Sequence, residues 1–551
     1  MMHHSMETFI AELKNIIKGE VLSDEQSLNH YSKDGSIFQM RPWAVIMPAS
    51  KEDIINLVKW TAKKKNEVKD PVFKKRFSIT CRGKATDQAG GPINEGIIVR
   101  FPKYLDKILE IGPDFVKVEP GVIWGDLNKK LESEQGRFIP CYPASANFAS
   151  LGGGVANNCA GEKSVKYGPI REYVLSLKMI LADEREVEFK NFNPEEIEKK
   201  QAQIDLEGEI YRRISDLLIG NHNLIQNSRL NVNKMSSGYW LYDVLKENGA
   251  LDLTRLITGS QGTLGIITEI TLKTISKPKN TALLLAAFED LIKAGQAVPR
   301  ILKLEPSAFE MVDRFLIEMT QREKPEMVAT LMKGRVQAPA LVLLIEFDGD
   351  DENALKIKIE EAKKIISDLT SDFREAHEKP IQNELWKVRR AAAIVAESAK
   401  GARKALPFIE DSIVHPERLS EYLTKLYEIF KKYDVQFSVW GHAGNGNIHV
   451  QPFLDLSDPA DVEKLVGITK EVYNTVIELK GSLSGEHSDG LMRTPFLKQS
   501  FGEPLYKLFE EVKKIFDLDN IFNPYKKVGI DWEFSKKHLR QEYEIEITGS
   551  T

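Results

Sequence analysis

Two histidines flank a glycine-rich core in the stretch SVWGHAGNGNIHVQPF, residues 438–453. Asn445-Gly446 is typical of a two-residue type I′ turn, and the apolar residues on either side alternate as they do in β-strands. Such a hairpin would place His442 directly opposite His449 on one face, with Cβ atoms about 5 Å apart. The two imidazoles could then share one metal ion. The alternative is a solvent-facing hairpin that carries two polar residues.

A second motif, GSLSGEHSDGLMRTPF, supplies a carboxylate and a third histidine. Only eight histidines lie outside the N-terminal MMHHSM, and three of them fall in these two motifs. Glu486 would complete a set of two imidazoles and one carboxylate, which leaves a coordination position open for substrate. Zinc fits these donors best, with manganese and ferrous iron as alternatives. Because neighbouring side chains diverge, His487 would approach the substrate from another side, as a general base.

Glycine is concentrated in the first half of the chain, where 13 of the 36 glycines lie between Gly83 and Gly168. Three stretches stand out: CRGKATDQAGGPINEGIIV from Cys81, PASANFASLGGGVANNCAGEKSVKYGPI from Pro143 and ITGSQGTLGIITEITL from Ile257. Small residues allow backbone N–H groups to approach an anionic ligand. Neither GxGxxG nor the P-loop motif occurs, so the predicted cofactor site is of another kind. For any single stretch, a cluster of turns is the alternative.

The elements that must position these residues alternate between short apolar strands and amphipathic helices, which predicts an α+β or α/β fold. Strands are expected at residues 43–49, 77–80, 96–101, 115–121, 176–182, 340–347 and 435–453. Long amphipathic helices follow from residue 289. Because Pro278 and Lys279-Asn280 interrupt the pattern, we expect a domain boundary near residue 278.

Composition excludes several classes of protein. The 551 residues are 42% hydrophobic with a net charge of −5, which suits two or three folded domains and offers no basic block for nucleic acid. The longest apolar runs reach eight residues, whereas a membrane span needs about twenty. Only Cys81, Cys141 and Cys159 occur, without a CxxC, so any iron–sulfur cluster is expected on another polypeptide. MMHHSM has no apolar core, and we expect a cytoplasmic protein, with a peripheral position at a membrane left open.

The order of the three glycine-rich stretches resembles the FAD-binding domain of the vanillyl-alcohol oxidase superfamily. The similar branch contains FAD-linked D-lactate dehydrogenases, D-2-hydroxyglutarate dehydrogenases and the flavoprotein subunit of glycolate oxidase. The resemblance runs from about Tyr31 to Gly529. It implies an α+β fold, with a two-subdomain FAD-binding domain and an N-terminal helix in residues 1–277. A substrate (cap) domain with an antiparallel sheet would follow in residues 278–529, its last segment returning to the FAD domain, before a tail in residues 530–551.

The resemblance also implies which residues contact FAD. The family's first loop reads as a glycine run followed by Thr-Ser, whereas this chain has Ala85 in place of a glycine and Asp87 in place of the serine. The implied FAD-binding residues are Arg82, Gly83, Lys84, Ala85, Thr86, Asp87, Gly90, Gly91, Pro143, Ser150, Gly153, Gly161, Gly168, Ile267 and Asn523.

In this branch the GHxGxGNxH and GEH motifs carry the metal ligands and the base. They correspond here to His442, His449 and Glu486 as ligands and His487 as base. ELWKVRRAAAIVAESAK resembles the family's Trp-x-x-Arg segment, which favours Arg389 over its neighbour Arg390 as the group that holds the substrate carboxylate. The resemblance therefore assigns His487 and Arg389 to catalysis.

This chain departs from the family pattern in a segment that would bind the second carboxylate of a dicarboxylic substrate. Relatives specific for dicarboxylates have a lysine shortly before an aspartate, where this chain reads FIED at residues 408–411. A binding site for a second carboxylate is therefore not expected from this segment.

These features predict an FAD-dependent, metal-assisted dehydrogenase that oxidises a D-2-hydroxy acid to the 2-oxo acid by hydride transfer to flavin N5. The acid would be of the lactate, 2-hydroxyglutarate or glycolate class. A separate iron–sulfur protein, electron-transfer flavoprotein or quinone would accept the electrons, and a homodimer is left open. The alternatives are a flavin-binding electron-transfer subunit of a larger complex and a non-redox FAD enzyme of the same superfamily.

Overall fold

A computed structural model describes residues 6–390 and 401–543. Residues 1–5 of the leader, residues 391–400 of the ELWKVRRAAAIVAESAK segment and residues 544–551 of the expected tail lie outside the described residues. None of the described helices combines the length and hydropathy needed to cross a bilayer.

The first half of the chain forms two sheets. The smaller mixes parallel and antiparallel pairs, with its strands in the spatial order Glu20–Leu22, Ala44–Met47, Ile97–Arg100 and Ile79–Arg82. The larger is antiparallel, in the order Leu251–Asp252, Glu186–Phe192, Val174–Ile180, Ile266–Lys273, Phe115–Val118 and Ile108–Ile111. A short ribbon pairs Ile275–Ser276 with Arg137–Phe138.

The second half is built on one antiparallel sheet of eight strands. Seven follow the order Asp372–Ala376, Asn280–Phe288, Leu341–Gly349, Ala308–Asp313, Phe437–His442, Asn447–Leu454 and Lys404–Ala405, and Ser412–Ile413 also pairs with Asn447–Leu454. The strand Asn280–Phe288 reads as a continuous apolar run because alternate side chains enter hydrophobic cores on both faces of the sheet.

Helices cover the sheets. In the first half they are Met6–Ile16, Glu25–His30, Lys51–Glu67, Pro71–Lys74, Trp124–Gln135, Leu151–Asn157, Ser164–Tyr167, Pro194–Gln201, Leu206–Gly220, His222–Asn227 and Leu253–Ile257. In the second half they are Leu291–Ile301, Arg314–Glu323, Ala329–Met332, Glu352–Ile365, Lys379–Arg390, Leu419–Tyr433, Pro459–Glu478, Gly490–Arg493, Leu497–Phe516 and Trp532–Lys536.

The last long helix packs against the first half of the chain. Leu505, Phe509 and Val512 of Leu497–Phe516 join the core of the six-stranded sheet. Phe522 joins the core of the four-stranded sheet. The predicted α+β class, with a two-subdomain FAD-binding domain followed by a domain with an antiparallel sheet, is confirmed.

Candidate active site

The predicted hairpin forms, but its turn and register differ from the expectation. The turn has four residues, 443–446, rather than two, and it contains a 3₁₀ turn. Trp440 pairs with His449, and His442 pairs with Asn447. The predicted pairing of the two histidines is therefore wrong by two residues. A slip of two keeps every side chain on its face, whereas a slip of one would reverse it. The two imidazoles still lie together, with ring centroids 5.2 Å apart.

Glu486 completes the group of three candidate metal ligands. Its Oε1 lies 3.0 Å from His442 Nε2 and 3.4 Å from His449 Nε2. All three side chains are buried, and their potential ligand atoms lie within 4.8 Å of one another. The structure thus brings together the three residues that the sequence singled out. Two nitrogen donors and one carboxylate oxygen are a set that suits zinc and leaves room for substrate.

The surroundings of the two rings fit a metal. His442 Nδ1 lies 2.6 Å from Glu310 Oε1, and His449 Nδ1 lies 2.6 Å from the carbonyl oxygen of Glu410. An imidazole that donates its Nδ1 proton keeps an unprotonated Nε2 as a ligand. Burial raises the pKa of Glu486, but His442 and Lys234 outweigh it and hold that pKa well below its usual range. When both imidazoles are neutral, three electron-pair donors converge, an arrangement that a divalent cation satisfies.

His487 lies at the open edge of this cluster. Its side chain is 28% exposed, and its ring stacks on His449 with centroids 5.2 Å apart. Its Nδ1 lies 2.5 Å from Glu410 Oε2, and Arg493 holds the other oxygen of Glu410. Burial lowers the pKa of His487, but Glu410 and Asp411 outweigh it and raise the pKa to about 10. To act as a base at neutral pH, His487 therefore needs a nearby positive charge that lowers its pKa.

Glu486 and His487 are neighbours that nevertheless face the same cluster, contrary to the expected divergence. His487 Nε2 lies 3.6 Å from Glu486 Oε1. The reason is Asp411, whose Oδ2 accepts the backbone N–H of Glu486 at 3.0 Å and of His487 at 2.8 Å. The same oxygen accepts the hydroxyl of Ser484. The loop wraps around one buried carboxylate and follows neither helix nor strand geometry.

Arg389 reaches the cluster through Glu310. Its Nε donates to Glu310 Oε2 at 2.7 Å, and the other oxygen of Glu310 holds His442. Burial raises the pKa of Glu310, but His442 and Arg389 outweigh it and lower that pKa to about 2. Arg390, the neighbour of Arg389 and the last residue of the helix, is exposed. The structure therefore places Arg389, rather than its neighbour, next to the candidate metal ligands.

Sequence reasoning missed four charged residues of the site: Lys234, Glu310, Glu410 and Arg493. Glu310 left a signal, because it is a charge within the buried strand Ala308–Asp313. Glu410 appeared only as part of a departure from the family pattern. Lys234 left none, since its partner Glu486 lies 252 residues away in the sequence.

The three glycine-rich stretches meet. A Cβ atom on Gly83 would lie 2.1 Å from Ser150 Oγ, so the first and second stretches touch without room for a side chain. Asn157 Nδ2 donates to Asp87 Oδ2 at 2.7 Å, and Gln261 Nε2 donates to Asn157 Oδ1 at 3.3 Å. These bonds connect the first stretch to the second and the second to the third.

The backbone of this cradle fits an anionic cofactor. A Cβ atom on Gly161 would lie 2.1 Å from the carbonyl oxygen of Tyr142, so the chain there is also too close for a side chain. Ala85 adopts the left-handed conformation, with φ +56°, that favours glycine. Ser150 caps the helix Leu151–Asn157 by accepting from Gly153 N. Backbone N–H groups at such a helix start can face the pyrophosphate of FAD.

The predicted FAD contacts take different positions. Three of them make hydrogen bonds within the protein. Arg82 donates to the carbonyl oxygen of Lys33, and Asp87 accepts from the backbone N–H of Gly91. Asn523 donates to the carbonyl oxygens of Gly91 and Gln261. Their side chains shape the first loop. Half-buried residues, which can meet a ligand, are Gly83, Lys84, Thr86, Pro143, Gly153, Gly168 and Ile267, whereas Ala85, Gly90, Gly91, Ser150 and Gly161 are buried.

The candidate metal ligands face the glycine-rich half. Ser236 Oγ lies 3.2 Å from the carbonyl oxygen of Asn158 and 3.1 Å from that of Gly485, next to Glu486. Ser164 Oγ donates to Asn445 Oδ1 in the hairpin turn at 2.9 Å. The cradle and the metal ligands therefore border the same interface.

Two family profiles match the chain. The FAD binding domain matches residues 42–190, and the C-terminal domain of FAD linked oxidases matches residues 277–527. The glycolate oxidase subunit GlcD of Bacillus subtilis is 29% identical over 91% of this chain and 92% of its own. D-lactate dehydrogenase of Anaerostipes hadrus is 28% identical, and the match covers 94% of this chain and 96% of that protein.

D-2-hydroxyglutarate dehydrogenase of Escherichia coli is 29% identical over 90% of this chain, but the chain spans only 49% of that protein. Among solved structures, 4-ethylphenol oxidase from Gulosibacter chungangensis superposes with a TM-score of 0.69 at 14% identity, covering 97% of this chain and 99% of its own. At that identity the likeness shows the fold alone. The chain is an FAD-linked oxidoreductase, and over most of its length it is similar to D-lactate and D-2-hydroxyglutarate dehydrogenases and to the glycolate oxidase subunit.

Proposed function

We propose that the protein is an FAD-dependent, metal-assisted dehydrogenase that oxidises a D-2-hydroxy acid to the 2-oxo acid. The observation that carries the proposal is the convergence of His442 Nε2, His449 Nε2 and Glu486 Oε1, with His487 beside them at the border of the glycine-rich half. The names of the relatives support acids of the lactate, 2-hydroxyglutarate and glycolate classes. Residues 1–277 would bind FAD, and residues 278–529 would bind the substrate.

His442, His449 and Glu486 would hold the metal, with zinc the best match and manganese and ferrous iron the alternatives. A bound divalent cation would supply positive charge that acidifies the substrate hydroxyl and opposes the proton on His487. Glu310 and the backbone at Glu410 contact Nδ1 of His442 and of His449, and would thereby keep both Nε2 atoms turned to the metal.

His487 would receive the hydroxyl proton at Nε2, because its Nδ1 is held by Glu410. Arg389 would bind the substrate carboxylate. Glu310 accepts its Nε proton, so the two terminal nitrogens are the donors that a carboxylate would use. FAD would supply N5 as the hydride acceptor.

Anaerobic bleaching of the flavin tests the proposal. Glycolate, and the D and L forms of lactate, 2-hydroxyglutarate and longer 2-hydroxy acids, are each mixed with the protein, and the absorbance of oxidised flavin is followed. We expect rapid bleaching with a D acid, or with achiral glycolate, and slower or no bleaching with L acids. Bound FAD and metal without bleaching by any acid would instead support an electron-transfer subunit.

We predict that FAD is bound noncovalently, at residues 82–91 and 143–168. The reason is that small residues cluster in these stretches and allow backbone N–H groups to approach an anionic cofactor. Acid precipitation should release the flavin into the supernatant, where its absorbance is measured. Flavin that stays with the pellet, or folded protein without flavin, would contradict this prediction.

The electrons are predicted to leave to a separate protein or a quinone. This chain has three cysteines, fewer than the four thiolates that hold an iron–sulfur cluster, and all three are free in the structure. Turnover with artificial dyes should therefore greatly exceed turnover with oxygen alone. Equal rates of substrate oxidation with the two acceptors would rule this out.

A further inference from the structure

Lys234 is a buried cation of the glycine-rich half, residues 1–277, which is called the FAD half below. It reaches the candidate metal ligands of the second half. Its side chain is 0% exposed, and its Nζ lies 2.5 Å from Glu486 Oε2. The other oxygen, Oε1, faces His442 Nε2 and His449 Nε2. The two oxygens of this carboxylate therefore have different partners: an ammonium group on one side and the candidate metal position on the other.

The segment around Lys234 is fixed at the interface of the two halves. Asn158, just after the glycine-rich helix, donates from Nδ2 to the carbonyl oxygen of Met235 at 3.1 Å. Ser236 Oγ contacts the carbonyl oxygens of Asn158 and Gly485. The ammonium group is thus held in place by the FAD half while it contacts a ligand of the other half.

A carboxylate can bind a metal through one oxygen or through both. An ammonium group on Oε2 occupies that oxygen, fixes the orientation of the side chain and stabilises its ionised form through a charge-assisted hydrogen bond. Partners of this kind tune how strongly a ligand binds its metal. Because the Lys234 side chain is fully buried, water cannot easily replace it.

We propose that Lys234 is a positioning residue that makes Glu486 a one-oxygen metal ligand, so that the FAD half sets the metal affinity of the other half. This inference rests on the proposed function, in which His442, His449 and Glu486 hold the metal. Displacement of the segment around Lys234 from the interface would weaken metal binding without changing any ligand.

Lys163 offers a matched control. It also belongs to the FAD half, is buried, and forms an ion pair with Glu346 in the sheet of the other half. It makes no recorded hydrogen bond or ion pair with the candidate ligands in the described residues. Replacing Lys163 removes a buried ion pair between the halves and leaves Glu486 with its partner.

The experiment measures the affinity for Zn²⁺ by competition with a fluorescent chelator, using FAD-loaded protein stripped of metal and kept without substrate. Lys234→Met should raise the dissociation constant by about 10- to 100-fold. The dissociation constant of Lys163→Met should stay within about twofold of that of the parent. In a Glu486→Gln background, Lys234→Met should raise the dissociation constant little further, because Lys234 and Glu486 act as a unit. Lys234→Gln keeps a neutral donor of similar length and serves if the methionine variant does not fold.

The outcomes separate this inference from the proposed function. If the parent binds Zn²⁺ and the folded Lys234 variants bind it as tightly, the positioning role is wrong and the proposed function stands. If Lys163→Met weakens Zn²⁺ binding as much as the Lys234 variants do, the positioning role is also overturned, because general loosening of the interface would explain both losses of affinity. If the parent binds no Zn²⁺, Mn²⁺ or Fe²⁺, the proposed metal function fails, and the inference fails with it.

Discussion

His487→Asn is expected to slow reduction of the flavin by substrate by about 100- to 10,000-fold, the usual contribution of a general base. The variant should keep its metal and FAD, because His487 is not among the three converging ligands. Asparagine can still donate to Glu410, which also keeps Arg493 as a partner, so the loop should fold. Single-turnover bleaching under anaerobic conditions measures the rate.

His377→Asn is a suitable control, since His377 is a partly exposed histidine of the same half and lies outside the cluster.

The reduction rate of the parent should rise with pH as His487 loses its proton, and that rise should disappear in His487→Asn. If His487→Asn reduces its flavin at the parental rate, His487 is not the base, whatever its metal content.

Glu486→Gln is expected to lose the metal and to weaken substrate binding. The change replaces a charged ligand with a neutral amide, so the loss of affinity should exceed the roughly 10- to 100-fold typical of changes behind the ligands. FAD should remain bound, because the glycine-rich cradle is built from other residues. Elemental analysis after dialysis, together with single-turnover bleaching at several substrate concentrations, measures both effects.

A residue that only braces the loop would behave differently. Its replacement would lower the free energy of unfolding by about 1 kcal/mol and leave the metal content and the reduction rate nearly unchanged. Glu510→Gln, at a half-buried position of the last long helix, provides the comparison for loss of a single charge outside the candidate ligand set. Retention of a full equivalent of metal in Glu486→Gln would remove Glu486 from the ligand set.

The sequence alone determined much of the fold. Strands expected at residues 43–49, 96–101, 115–121 and 340–347 correspond to Ala44–Met47, Ile97–Arg100, Phe115–Val118 and Leu341–Gly349. These elements are predictable because apolar periodicity and turn residues act locally. The same local signals identified the two histidines, the glutamate beside His487 and the three glycine-rich stretches.

The exact hairpin pairing was not determined locally. Asn445-Gly446 predicted a two-residue turn, but Asn445 is buried and accepts a hydrogen bond from Ser164, far away in the sequence. That tertiary contact accompanies a longer turn and a register shifted by two residues. Face alternation has a period of two, so both histidines remained on one face.

The charged surroundings of the site were decided only by the tertiary structure. Glu310, Glu410, Lys234 and Arg493 come from separate parts of the chain, and each meets its partner across 77 to 252 residues of sequence. Sequence spacing predicts contacts within a helix or a hairpin, but it carries no distance information between elements that pack only after folding. The sequence therefore determined which residues could bind a metal and move a proton. Tertiary packing, within the second half and between the halves, decided which charges hold them in place, because a buried charge requires a partner that only the folded chain can supply.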